Sequence, residues 1–113
     1  DYNKLQSDDE NKNIVGLEPL TSKWNSFNWN VIEIDGHDHK EINNSFKNSF
    51  SSTMPTLVIS HTVKGKGISF MENVPFWHGS VTMNEEQLKE SLLELFVEEK
   101  DILSYINGNI YKN

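Results

Sequence analysis

Two short runs rich in β-branched residues, Val31-Ile32-Glu33-Ile34 and Thr56-Leu57-Val58-Ile59, constrain this chain more than any other feature. Each has the length and residue types of a strand, and a helical pattern lies between them. Asp35-Gly36 stops the first run as a turn signal. Asp38 then stands where a cap is needed for a helix to about Phe50, with Ile42, Phe46 and Phe50 spaced by four on one face. Ser51-Ser52 and Pro55 end that helix, and the second strand runs to about Ser60. Upstream, a helix is expected from near Glu18, with Pro19 in its first turn and Leu20, Trp24 and Phe27 on one face. Downstream, a third helix is expected after Asn84, with Glu85-Glu86 at its positive end and Leu88, Leu92, Leu95 and Phe96 along its apolar side. Helix, strand, helix, strand, loop, helix is the order of a parallel α/β sheet. Two strands are too few for an independent sheet, which needs three or more. The expected fold is therefore α/β, with a parallel sheet that is incomplete in this chain.

Composition narrows the function classes. The 113 residues allow one small domain. Their hydrophobic fraction of 35% is low for a self-sufficient globule, where about 45–50% is usual when glycine is counted. Ten Lys+Arg against 17 Asp+Glu give a net charge of -7 with no basic stripe, so a nucleic-acid backbone is not the expected partner. No apolar run approaches the roughly 18 residues of a spanning helix, and no membrane association is expected. The absence of cysteine excludes disulfides and thiolate metal sites. The polar opening Asp1-Tyr2-Asn3-Lys4 resembles no signal peptide, so a cytoplasmic protein is the expectation. Without an initiator Met, the sequence reads as a piece of something larger.

The candidate site follows the second strand. His61-Thr62-Val63-Lys64-Gly65-Lys66-Gly67, and then Trp77-His78-Gly79, lie in a stretch from His61 to Val81 with no regular pattern. Loops of that length in compact domains are functional or mobile. In open α/β sheets, ligands bind outside the carboxyl ends of the strands. Two glycines let a backbone approach a ligand closely and two lysines supply charge for an anion, so the loop reads either as meeting a phosphorylated ligand or as a solvated turn whose lysines serve solubility. Residues 6–13 read as a second polar loop. Asp35, His37, Asp38 and His39 have the residue types of a zinc or manganese site. The turn signal and the cap assign them structural duty instead. Trp24, Phe27 and Trp29 read as core or interface residues.

Taken in order, several segments resemble the thiamine-diphosphate-binding section of transketolases, in its C-terminal portion. They are Asp1-Tyr2-Asn3-Lys4-Leu5-Gln6-Ser7-Asp8, Leu17-Glu18-Pro19-Leu20 with Lys23-Trp24, Gly36-His37-Asp38, the stretch from His61 to Gly67, Phe70-Met71-Glu72-Asn73, and Trp77-His78-Gly79. The resemblance is collinear to about residue 96 and is strongest to the N-terminal subunit of two-chain bacterial transketolases. It divides the chain into residues 1–97, the C-terminal portion of the domain, and a tail of residues 98–113 that continues a helix or packs on a partner.

The resemblance implies thiamine diphosphate with Mg2+ or Ca2+ as cofactors. Asn3 matches the asparagine that closes the family's cofactor motif and binds the metal, and the carbonyl of Leu5 matches a second ligand. Hard divalent cations take such oxygen donors. His78 matches a catalytic histidine that reaches the cofactor's diphosphate and the donor sugar, where an imidazole can donate to an oxyanion or exchange a proton. Lys64 matches a position near the diphosphate, which family members also fill with apolar residues. Lys66 is expected in solvent. His61 occupies a position of variable type, and Ser80 stands where some relatives have lysine.

The Gly-Asp-Gly segment that opens the family motif, with its charged metal ligand, is not in this sequence. The resemblance therefore implies two partners: the segment carrying that motif and a pyrimidine-binding transketolase subunit. The implied activity is transfer of a two-carbon ketol unit between sugar phosphates, performed only in a larger assembly. A deoxyxylulose-phosphate synthase shares the Lys-Gly-Lys-Gly and Trp-His-Gly signals, while Leu17-Glu18-Pro19-Leu20 leans towards transketolase. A non-catalytic binding or assembly module derived from the same fold is the alternative of a different class.

Overall fold

The structure, a computed structural model, describes residues 1–79 and 81–108. Its centre is a parallel pair, β3 (Asn30–Asp35) and β4 (Thr56–His61), in register from Asn30 opposite Thr56 to Asp35 opposite His61. A small antiparallel hairpin, β1 (Leu5–Gln6) with β2 (Asp9–Glu10), precedes it. Tyr2 forms a parallel bridge to His61. Its N–H donates to the Ser60 carbonyl at 2.8 Å, while the His61 carbonyl accepts from Gly36 N–H at 2.7 Å. Successive carbonyls of a strand point to opposite sides, so Tyr2 and β3 flank β4 on its two edges. Ile34 and Ile59 are both buried. Ile59 is aligned with Glu33, one residue from Ile34, so the two side chains lie on opposite faces of the sheet. Burial on both faces is typical of a parallel α/β sheet.

Helices α1 (Asn11–Ile14), α2 (Leu20–Ser26), α3 (His39–Ser51), α4 (Glu85–Glu94) and α5 (Glu99–Ile106) complete the fold, with α2 and α3 packed on β3. The caps explain where helices start. Asp38 accepts hydrogen bonds from Lys40 N at 2.7 Å and Glu41 N at 3.1 Å. Asn84 and Gln87 form a reciprocal capping box ahead of α4. Helix α2 begins later than expected: Pro19 is its N-cap, and the Glu18 carboxylate accepts from Leu20 N at 3.0 Å.

Three further differences have physical reasons. Residues 6–13 form the hairpin and one helical turn rather than a loop. Positive φ at Lys4 (65°) and Ser7 (52°) creates it, so no hydrophobic alternation announced it. The stretch from His61 to Val81 contains a 3-10 turn at Pro75–His78, with Pro75 at its start. Helix α4 ends at Glu94, so Phe96 lies beyond it at φ 61° and is 94% exposed instead of continuing the apolar face. Within the tail, α5 packs on α4, and Ile102 is 2% exposed; residues 109–113 lie outside the described residues.

Few residues are buried. Leu5, Ile34, Ile59, Leu92 and Ile102 are the buried apolar ones among the described residues. The apolar faces anticipated for α2 and α3 are only partly covered, with Phe27 72% and Phe50 88% exposed. The radius of gyration is 18.5 Å, against about 13 Å for a compact domain of this length. The chain is therefore more extended and less buried than a self-contained domain of this length. Among the described residues, no helix is long and apolar enough to cross a membrane.

Candidate functional site

The bridge from Tyr2 to β4 sets Asn3 and Leu5 just beyond the carboxyl end of the sheet. Strand β1 packs against the 3-10 turn that carries His78. As a result Asn3, Leu5 and His78 line one cavity of about 410 Å3, together with Asp1 and Tyr2. Asn3 and Leu5 are near neighbours in sequence, and the fold brings the distant His78 to them. Asn3 Nδ2 donates to Asp1 Oδ2 at 2.8 Å, and Asn3 Oδ1 accepts from Leu5 N at 2.9 Å. A carbonyl oxygen has two lone pairs, so Oδ1 keeps one for another partner. Neutral oxygen donors with an imidazole at the rim suit part of a cation–diphosphate site. Among the described residues no three His, Cys, Asp or Glu side chains converge as a metal set.

A second cavity of about 850 Å3 lies at the same end of the sheet and shares Tyr2, Asn3 and Leu5. His61 Nε2 meets Glu33 Oε2 there at 2.7 Å, a diagonal pair across β3 and β4. The Tyr2 ring stands edge-on to His61 with centroids 5.5 Å apart. Tyr2 Oη donates to Glu18, and the Thr21 hydroxyl donates to the other oxygen of Glu33. The N-terminus of α2, β3, β4 and the Asn3 segment are thus tied in one polar ring. None of Glu33, Tyr2, Thr21 or Asp1 stood out in the sequence as a site residue. For Asp1, Tyr2 and Glu18 the available signal was their place inside matching motifs.

The cationic loop is arranged differently from the expectation. Gly65 has φ 78°, and a Cβ there would lie 2.6 Å from the Met71 carbonyl oxygen. Its freedom therefore serves a close approach of the loop to its own backbone, closed by Asn73 N donating to the Lys64 carbonyl at 3.0 Å. Lys64 lines neither cavity, whereas Lys66 lines the larger one and stands 3.7 Å from Glu72. Ser80 lies outside the described residues. Around the turn, Asp35 Oδ1 accepts from His37 N at 2.8 Å, and Asp38 caps α3. His37 Nε2 accepts from Val63 N at 2.7 Å, which anchors the start of the loop. The Glu94 carboxylate takes both the N–H and the hydroxyl of Ser69, tethering α4 to the same loop.

These contacts depress several carboxylates. Glu18 titrates below its ordinary value because Tyr2 Oη and then Leu20 N stabilise the anion. Glu33 is lowered by the Thr21 hydroxyl and then by His61, and Glu94 by the Ser69 hydroxyl and N–H. The matching Tyr2 hydroxyl is raised, chiefly by its bond to Glu18. A carboxyl with a lowered folded pKa adds stability above its unfolded value and loses it as pH falls through the folded one. The ordinary Glu value is 4.5. Glu33→Gln is accordingly expected to lower the melting temperature near neutrality, and the gap from the parent should close as pH falls below that value. Thermal melts from about pH 6 to about pH 3 measure it; a constant gap would remove the ionised Glu33 from the stabilising set.

An asparagine amide, a main-chain turn and a histidine are thus gathered at the carboxyl end of a parallel α/β sheet, where α/β folds bind their ligands. Residues 1–105 match the family described as transketolase, thiamine diphosphate binding domain, and the chain belongs to that family. The match continues into α5, past the point near residue 97 where the sequence resemblance stopped. The chain is 35% identical over 96 residues to an apulose-4-phosphate transketolase subunit of Phocaeicola vulgatus, covering 84% of this chain and 34% of that protein. It is 38% identical over 96 residues to the 6-deoxy-6-sulfo-D-fructose transketolase subunit SqwG of Clostridium sp., with the same coverage of 84% and 34%. Human transketolase is 27% identical over 106 residues, covering 92% of this chain and 17% of that one. The crystal structure of transketolase from Campylobacter jejuni superposes with a TM-score of 0.77 at 22% identity, over 95% of this chain and 18% of that one, a likeness of fold. The chain thus spans about a third of the length of its two subunit relatives.

Proposed function

We propose that this chain supplies the metal- and diphosphate-contacting part of a transketolase-like enzyme that works only within a larger assembly. The observation that carries the reading is the gathering of Asn3, Leu5 and His78 in one cavity at the carboxyl end of the sheet. Asn3 Oδ1 and the Leu5 carbonyl would hold Mg2+ or Ca2+, hard cations that accept amide and main-chain oxygens. A segment carrying Gly-Asp-Gly would add the charged ligand. His78 would donate a hydrogen bond to the diphosphate or to the donor sugar and exchange a proton with it. A pyrimidine-binding subunit would close the site. When bound, thiamine diphosphate supplies the carbon nucleophile for making and breaking the carbon–carbon bond.

Two relatives are named as subunits, which supports a partner chain. Their names also carry a phosphate and a sulfonate on the sugar, so the substrates proposed here are ketoses and aldoses with an anionic end group. The test is native mass spectrometry of the intact protein containing this chain, followed by a ketol-transfer assay on the same particle. An assembly that holds thiamine diphosphate and transfers two-carbon units from a ketose phosphate supports the reading. Cofactor binding with pyruvate consumed in place of a ketose would move it to a deoxyxylulose-phosphate synthase. A particle without cofactor would make the chain a binding or assembly module.

A further inference from the structure

An asparagine amide has two nearly isosteric orientations, and only one offers its oxygen to a cation. In this chain two hydrogen bonds of opposite polarity choose between them. Asn3 Nδ2 donates to Asp1 Oδ2 at 2.8 Å, and Asn3 Oδ1 accepts from Leu5 N at 2.9 Å. Turned over, the amide would set its oxygen against the Asp1 carboxylate and its NH2 against the Leu5 N–H. Both bonds would be lost and both replaced by repulsion.

Asp1 is itself held. Its other carboxylate oxygen accepts the hydroxyl of Thr62. Thr62 directly follows β4, and its N–H donates to the Tyr2 carbonyl at 3.4 Å. The end of the central strand is therefore connected through Thr62 and Asp1 to the Asn3 amide. A carboxylate that accepts from Nδ2 also draws electron density towards Oδ1, as carboxylates behind metal-binding histidines raise ligand basicity.

We propose that Asp1, fixed by Thr62, is a positioning residue that locks the Asn3 amide with its oxygen towards the bound cation. This rests on the reading of Asn3 as a metal ligand. Asp1 lines the same cavity, but its role is exerted through Asn3 rather than by contact with the ion.

The experiment is a Mg2+ titration of thiamine diphosphate binding in the intact protein in its native assembly, followed by tryptophan fluorescence, with melting temperatures recorded in parallel. Asp1→Ala is expected to weaken the apparent Mg2+ affinity by about 10- to 100-fold, the usual loss when a partner behind a metal ligand is removed. Asp1→Asn should restore most of it, since its amide oxygen still accepts from Asn3 and the Thr62 hydroxyl can turn to accept. Thr62→Val, which deletes only the hydroxyl that steadies Asp1, should show a smaller loss and keeps the test open if Asp1→Ala does not assemble. Equal losses in Asp1→Asn and Asp1→Ala would overturn the proposal by showing that the charge acts directly. So would parent-like affinity in Asp1→Ala and Thr62→Val while Asn3→Ala is impaired. Parent-like affinity in Asn3→Ala would instead fell the underlying metal reading, and the positioning role with it.

Discussion

Asn3→Ala is expected to weaken Mg2+-dependent binding of thiamine diphosphate by on the order of 100-fold, the upper end of what removing even an indirect metal partner costs. The substitution deletes a neutral side-chain oxygen in the cavity whose amide is oriented by two bonds and which still has a lone pair to give. The Leu5 carbonyl and His78 remain, so binding falls without vanishing. The fold should tolerate the change. Asn3 contributes two local hydrogen bonds, each worth about 1 kcal/mol, and Tyr2 keeps its bridge to β4 through main-chain atoms alone. Calorimetric titration of cofactor at several fixed Mg2+ concentrations separates the two effects. A lost affinity that high Mg2+ recovers marks a metal ligand. Unchanged affinity at every concentration would leave Asn3 as a residue that bends the chain into β1 through Leu5 N, and nothing more.

The elements of this fold were legible wherever a local rule and the buried pattern agreed. The runs at Val31 and Thr56 are strands because β-branched side chains suit a sheet buried on both faces. Asp38 and Asn84 mark their helices because an unpaired N–H at a helix start needs an acceptor. The hairpin after Leu5 was not legible, since positive φ at Lys4 and Ser7 breaks no composition rule and leaves no periodicity. The apolar spacing of Phe46 and Phe50 was correctly helical, yet both are exposed. Pattern identifies a face that seeks cover; it does not say that the cover lies in the same chain.

The candidate site was legible in a different way. Asn3, Leu5 and His78 came from motif order, and the fold then supplied the cavity that joins them. The polar ring was hidden because its bonds follow strand register rather than sequence. His61 and Glu33 are 28 residues apart, and Tyr2 and Glu18 are 16 apart. Only the pairing of Asp35 with His61 places the first two on one sheet face at diagonal positions. The glycine loop misled for a related reason. A glycine permits close approach, but sequence does not say what approaches, and at Gly65 the visitor is Met71.

Gly65→Ala is expected to be the most destabilising glycine substitution in this loop. At φ 78° an alanine would incur the left-handed penalty of about 1–2 kcal/mol. Its Cβ would also stand 2.6 Å from the Met71 carbonyl oxygen and 2.7 Å from the Met71 carbonyl carbon and Cβ. Main-chain atoms cannot rotate out of the way, so the loop must open, for a total cost on the order of 3–5 kcal/mol. Gly67→Ala provides the comparison. It has the same backbone problem at φ 96°, but its Cβ would meet only the tip of Leu95 at 3.3 Å, so the conformational penalty stands nearly alone. The difference should reach cofactor binding. Met71 N–H and carbonyl hold Ile68 and Val74, and Val74 in turn accepts from Trp77 beside His78. Opening the loop at Gly65 therefore displaces His78 as well, and thiamine diphosphate affinity should fall with stability in Gly65→Ala but much less in Gly67→Ala. Equal melting temperatures for the two variants would mean that the Met71 backbone yields, and that the loop is held at its ends, by His37 on Val63 and Glu94 on Ser69, rather than at its tightest contact.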